Sequence, residues 1–203
     1  MKVYHGTTSV AKKKILSEGE IHPSQSRIET SIDTILEWAL LKSTLTEMPT
    51  MGSVRQPTAL GDGIYAFEKI MDAEKFRPDH EVIIITLKDT ETILNLDDWQ
   101  VLYELADTLM STGYEDVFEK RFYSEETQKQ YRKLFKLFAE FIIDVANGEK
   151  QIDDYAYVFA FALWFLDVIF GKKYRIVSRT FPEQPKYICI RDQQAIESFC
   201  GNV

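Results

Sequence analysis

Cysteine is nearly missing from this chain: Cys189 and Cys200 are the only two among 203 residues. Two thiols so close to one end cannot make a disulfide framework, which excludes the small secreted scaffolds that depend on such staples. Cys189 falls within an apolar strand pattern, where a buried thiol is expected. Histidine is also scarce, with three in all. His22 and His80 stand in polar segments with no partner at metal-ligand spacing, so they read as surface residues and no metal site is expected. No serine or cysteine sits in a recognisable nucleophile setting.

Positive charge is in deficit, with 24 Lys and Arg against 32 Asp and Glu and a formal net charge of −8. That excludes broad attraction to phosphate backbones, which requires an excess of lysine and arginine, although a local basic groove stays compatible with it. The dense basic stretches, Lys12 to Lys14 and the run Lys172, Lys173, Arg175, Arg179, read as solvated surface. The chain runs directly into Val3, Tyr4 and His5 with no apolar leader, so a cytoplasmic protein without a secretory signal is expected. The longest apolar run, Tyr155 to Phe170, falls short of the ~20 residues of a membrane span. Asp153 and Asp154 precede it and Asp167 interrupts it, so it reads as a buried core helix. No repeat or low-complexity tract is visible.

What is present is a globular composition: 45% hydrophobic, 28% charged and 13% aromatic, enough to bury one sizeable core, with room for a large insertion. The first part alternates strands and helices. A strand is expected at Lys2 to His5, then a helix at Ser9 to Ser17 with Ser9 as N-cap and Gly19 as stop. A second helix is expected at Ser31 to Thr46, and a loop at Met48 to Ala59. Strands follow at Gly63 to Phe67, Glu81 to Leu87 and Thr92 to Leu96, with a helical turn at Asp72 to Phe76. The run Val82 to Thr86 lacks polar alternation, which predicts a strand buried on both faces near the sheet centre.

From Asp98 the character changes to three helical patterns, Asp98 to Met110, Ser124 to Asn147 and Asp153 to Phe170. Asp97 and Asp98 read as helix caps rather than metal ligands. Strands return at Tyr174 to Arg179 and Tyr187 to Arg191, and Gln193 to Phe199 is expected as a short closing helix.

Two short motifs carry chemistry. Tyr4-His5-Gly6-Thr7 ends the first strand, and Gly61-Asp62-Gly63-Ile64-Tyr65-Ala66-Phe67 opens another about sixty residues on. Gly6 has no Cβ to keep a planar amide from its N–H and C=O. His5 can offer an N–H to a sugar hydroxyl. Gly61 and Gly63 allow a tight turn that brings Tyr65 to the site wall, where its ring can stack on a flat cationic heterocycle. Each motif alone is weak, and a strand tyrosine is usually core.

In combination and order, these residues resemble the His-Tyr-Glu branch of the ADP-ribosyltransferase superfamily, the diphtheria-toxin and poly(ADP-ribose) polymerase-like group. The resemblance extends to Ala11, Ile15 and Gly19 after the first motif, to Ala73 and Phe76 after the second, and to Tyr187 through Asp192 with Ile196. It covers residues 1–96 and 174–203. It implies an α+β fold, with a small split β-sheet core over 1–97 and 174–203 and a large α-helical insertion over 98–173.

The resemblance implies NAD as co-substrate. His5 would bind the adenosine-side ribose, Gly6 the nicotinamide carboxamide, and Thr7 would support that turn. Gly63 would line the site and Tyr65 would stack on the nicotinamide ring. The family's catalytic glutamate usually begins the last strand and stabilises the charge that develops as nicotinamide leaves. Here that position falls at Lys186 or Tyr187. Three readings follow: Glu183 supplies the charge from a displaced loop, a non-acidic residue takes the place as in members limited to single transfers, or catalysis is lost. The expected function is a mono-ADP-ribosyltransferase acting on a protein or nucleic-acid acceptor, a bacterial toxin or defence effector in character. The alternative is an inactive NAD-binding module whose helical insertion takes a partner, such as an inhibitory protein.

Overall fold

The computed structural model describes residues 1–24, 28, 35, 59–111, 124–150, 157–171, 173–181 and 183–201. The fold is mixed α/β, with a seven-stranded mixed sheet and, among the described residues, five α-helices. The chain divides into two compact units, one of Met1–Gln25, Asp62–Leu96 and Tyr174–Val203, the other of Ser26–Gly61 and Asp97–Lys173. The second unit thus takes in Ser26–Gly61, a segment the sequence reading grouped with the strands. Of the helix expected at Ser31 to Thr46, only Ile35 lies among the described residues, helical and fully buried. Met48 to Thr58 of the expected loop, Asp153 to Ala156, Lys172 and Pro182 lie outside them.

The first unit holds the whole sheet: β1 (Lys2–Thr7), β2 (Ile64–Phe67), β3 (Glu81–Leu87), β4 (Ile93–Asn95), β5 (Ile176–Thr180), β6 (Lys186–Ile190) and β7 (Ile196–Gly201), in the order β4-β5-β6-β2-β1-β3-β7. All neighbours are antiparallel except β4 and β5. Two α-helices belong to this unit, α1 (Ser9–Glu18) and α2 (Ile70–Phe76). Thr8, in extended backbone, caps α1 by accepting the Ala11 N–H at 3.2 Å, and Gly19 ends it in the left-handed region at φ 70°. The cap is therefore one residue earlier than expected. Ser9 is already helical and gives its N–H to Asp79 at 2.8 Å.

One sheet face buries Val3, Ile64, Ala66, Ile83, Ile85, Ile188 and Ile190 together with Ile15 of α1. The other buries Phe67 and Val82 against Ala73 of α2, with Tyr4, Ile70 and Tyr187 partly buried beside them. Strand β3 has the expected bounds and sends side chains into both cores, yet it is not central. It lies one place from the edge, and the middle belongs to the four-residue β2.

The expected closing helix is also corrected. Gln193–Ala195 is a single 3₁₀ turn capped by Asp192, and Ile196–Gly201 is the edge strand paired with β3. Pairing with the open side of β3 outweighs local preference, because strand formation responds to cross-strand partners more than to the residues alone.

The second unit contains α3 (Trp99–Met110), α4 (Glu125–Ala146) and α5 (Tyr157–Phe170). Asp98 and Ser124 cap α3 and α4 by accepting the N–H groups of Gln100 and Thr127. The buried stripe of α4 meets α5 through aromatic rings: Phe135 and Phe165 are 4.6 Å apart edge-to-face, and Phe138 and Phe161 are 5.9 Å apart. Among the described residues no helix is long and apolar enough to cross a membrane. The apolar run of α5 is satisfied by packing.

Candidate functional site

The site begins with a question of hydrogen-bond phase. Met1 and Leu87 exchange both backbone bonds, Leu87 N–H to Met1 O at 2.8 Å and the Met1 amine to Leu87 O at 3.2 Å. Antiparallel pairs alternate between bonded and non-bonded. The register therefore makes Val3, His5 and Thr7 the residues that bond with Ile85, Ile83 and Glu81 of β3. Tyr4 and Gly6 point their N–H and C=O the other way, toward β2. Tyr4 meets Phe67 there, but the β1–β2 ladder goes no further. Gly6, buried, thus directs a donor and an acceptor to the side where the two strands part.

His5 holds that opening. Its Nδ1 lies 2.7 Å from the Tyr65 carbonyl oxygen. A carbonyl only accepts, so Nδ1 carries the hydrogen and, in the neutral ring, Nε2 is an acceptor. Burial pushes the His5 pKa below its ordinary value of 6.5, opposed by the Tyr65 hydrogen bond and helped by the positive charge of Arg77. The imidazole is accordingly neutral at pH 7. The Nδ1–H is therefore taken by the Tyr65 carbonyl, and Nε2 is the ring atom left to accept.

Helix α2 roofs Gly6. A Cβ built there would lie 2.3 Å from the Ala73 carbonyl oxygen and 3.0 Å from Phe76 Cβ, so only glycine fits beneath this helix. Phe76 is 40% exposed, its Cβ borders Gly6 and its ring is 5.3 Å from that of Phe67. Tyr65, half-buried, meets Tyr187 edge-on at 6.3 Å, and Tyr187 also contacts Phe67 and Phe181. Burial raises the Tyr187 pKa, so its hydroxyl stays protonated. Thr7 is buried at the end of β1 and leads directly into the Thr8 cap of α1.

Gly63 has a structural demand of its own. A Cβ there would lie 2.5 Å from Cys189 Sγ and 2.7 Å from the Ile190 oxygen, and its N–H and C=O are both bonded to Ser24. Gly61 supplies the preceding turn at φ 83°. Cys189 is buried, its thiol pushed up to about 12 chiefly by that burial, so it is no nucleophile.

Glu183 is not brought to these residues. It occupies an exposed turn closed by the Gln184 N–H on the Phe181 oxygen, at φ 57°, and among the described residues it forms no hydrogen bond or ion pair. Lys186, which begins β6, lies 3.7 Å from Glu68. The residue near that strand start that meets Tyr65 is Tyr187. Among the described residues no cluster of three or more His, Cys, Asp or Glu side chains could hold a metal. His80 Nδ1 donates to the Glu74 oxygen at 2.8 Å.

Sequence reasoning gave no site role to Phe76. Its distance of eleven residues from Tyr65, partly through a helix, hides the approach to Gly6; a phenylalanine directly after the charged pair Glu74 and Lys75 is the available signal. Comparison with protein-family models, curated proteins and solved structures found no match for this chain.

Proposed function

We propose that this chain is an NAD-dependent mono-ADP-ribosyltransferase that modifies a protein or nucleic-acid acceptor, with the sheet unit as its ADP-ribosyltransferase-like core and the helices of 98–173 as an insertion. The observation that carries this reading is the parting of β1 and β2 at Gly6, which leaves a backbone N–H and C=O directed away from β3 on a residue packed under Ala73 and Phe76 Cβ of α2. A nicotinamide carboxamide is a planar donor–acceptor pair that matches this edge. Its ring would lie against Tyr65 and Phe76, where a cationic heterocycle gains from aromatic faces. His5 Nε2 would accept from a ribose hydroxyl.

In the transfer, the bond from the ribose C1′ to the nicotinamide nitrogen breaks with its electron pair going to the ring, and an acceptor nucleophile bonds to C1′ and releases its proton to solvent. Neutral nicotinamide leaves. Gly6 and the aromatics hold the leaving group, and His5 orients the sugar. Tyr187, neutral and beside Tyr65, would stand in for the family's carboxylate, a reading in keeping with single transfers rather than chains. Glu183 would have to move from its exposed turn to contribute.

The same substitution favours a second reading, an NAD-binding module without transfer that recruits a partner through its helices. Trp99, Tyr103 and Met110, exposed on α3, are the residues such a partner would meet. One experiment separates the two. Purified protein is incubated with labelled NAD and a cell lysate, and NAD-induced thermal stabilisation is measured in parallel. Label transfer that falls in Tyr65→Ala and His5→Ala supports the enzyme; stabilisation without transfer supports the module. No thermal shift with NAD rejects both. Loss of transfer in Glu183→Gln would restore the displaced-loop role.

A further inference from the structure

A dinucleotide brings a diphosphate to a chain whose formal net charge is −8, so the cleft needs a cation that no carboxylate already neutralises. Most cations of the sheet unit near it are paired. Lys12 lies 2.7 Å from Glu81, Lys186 3.7 Å from Glu68, and Arg175 2.9 Å from Glu91. Arg77 differs. It follows α2 as its C-cap, is exposed, and its guanidinium forms no ion pair or hydrogen bond among the described residues. The neighbouring Asp79 is turned to the Ser9 N–H instead. The Arg77 guanidinium carbon stands 4.8 Å from the centroid of the ring of Phe76, the residue whose Cβ borders Gly6. Stacking of this kind holds a guanidinium in place while leaving its N–H fork open.

We propose that Arg77 binds the diphosphate of a dinucleotide whose nicotinamide end lies at Gly6, Tyr65 and Phe76. This rests on the reading of the cleft given above. A planar fork of N–H donors matches two phosphate oxygens at once, and Phe76 joins the two ends of the ligand by touching the nicotinamide pocket and the guanidinium together. The positive charge of Arg77 also reaches His5, which helps keep that ring neutral and accepting.

The test titrates two probes, ADP-ribose, which has the diphosphate without nicotinamide, and nicotinamide, which has no phosphate. Wild type, Arg77→Gln and Arg77→Lys are compared at low and high salt. Arg77→Gln is expected to weaken ADP-ribose binding about 10- to 100-fold and to flatten its salt dependence, leaving nicotinamide binding unchanged. Arg77→Lys recovers only part, because a point charge replaces a fork. Wild-type affinity for ADP-ribose in Arg77→Gln, or nicotinamide binding without ADP-ribose binding in wild type, overturns the role of Arg77 and leaves the cleft standing. Loss of both probes in Arg77→Gln with a lowered unfolding midpoint assigns the residue to structure and overturns it as well. Wild type that binds neither probe overturns the dinucleotide reading itself.

Discussion

Replacing Gly6 by alanine tests the fold and the cleft in one substitution. The new Cβ would stand 2.3 Å from the Ala73 carbonyl oxygen, where ordinary contact begins near 3.4 Å, so α2 or β1 must yield by about 1.1 Å. The obstacle is backbone, and Ala73 is fully buried, so no side-chain rotation relieves it. Overpacking of this kind costs about 1–3 kcal/mol. For a chain of this size that lowers the unfolding midpoint by roughly 2–12 °C. The same displacement moves Phe76, whose Cβ would be 3.0 Å away, and disturbs the Gly6 backbone edge on which the proposed cleft depends.

The assay is thermal unfolding of wild type, Gly6→Ala and Gly63→Ala, each with and without NAD. Gly63→Ala meets a comparable clash, 2.5 Å from Cys189 Sγ, but against β6 and not beneath α2. Both variants should lose stability, whereas only Gly6→Ala should lose most of the NAD-induced shift. A Gly6→Ala protein with the wild-type midpoint and the wild-type shift would refute the packing of α2 over Gly6 and the cleft built on it.

Three further outcomes are expected. His5 has a depressed pKa in the folded state, so the unfolded chain binds more protons once the pH drops below 6.5. Stability should therefore fall from that pH downward toward the folded-state pKa, and urea midpoints at pH 7 and pH 5 should differ less in His5→Gln than in wild type. Thr8→Ala removes the α1 cap, whose hydroxyl accepts from Ala11 at 3.2 Å, and should cost about 0.5–2 kcal/mol in denaturant titrations, while Ser9→Ala costs little. Phe135→Ala empties a fully buried position 4.6 Å from Phe165 and should cost about 3–5 kcal/mol, seen as early loss of helical circular dichroism.

Local elements were largely legible. The run Glu81–Leu87 declares a strand through its β-branched residues and takes those bounds. Asp98 and Ser124 precede apolar helical periods, and both cap the helices they introduce. The segment Gln193–Phe199 is misleading because its polar and apolar residues suit a short helix, while the free edge of β3 pairs with five residues of Ile196–Gly201. Centrality was misread for a related reason. A hydrophobic run reports burial on its faces, not which strands flank it, and β3 keeps both faces covered from a place beside the edge.

The site divides along the same line. The residues of Tyr4 to Thr7 and Gly63 to Tyr65 by themselves determine where side chains are absent, where a ring and an imidazole stand in the chain, and that β-forming stretches surround them, because these follow from local chemistry. Only the tertiary structure decided that the β1–β2 ladder stops after Tyr4 and Phe67, that the His5 N–H goes to Tyr65, and that Ala73 and Phe76 of α2 pack over Gly6. It also decided that Tyr187, not Glu183, stands beside Tyr65. Those facts depend on the phase of a hydrogen-bond ladder and on contacts between residues sixty or more positions apart, which no local pattern encodes.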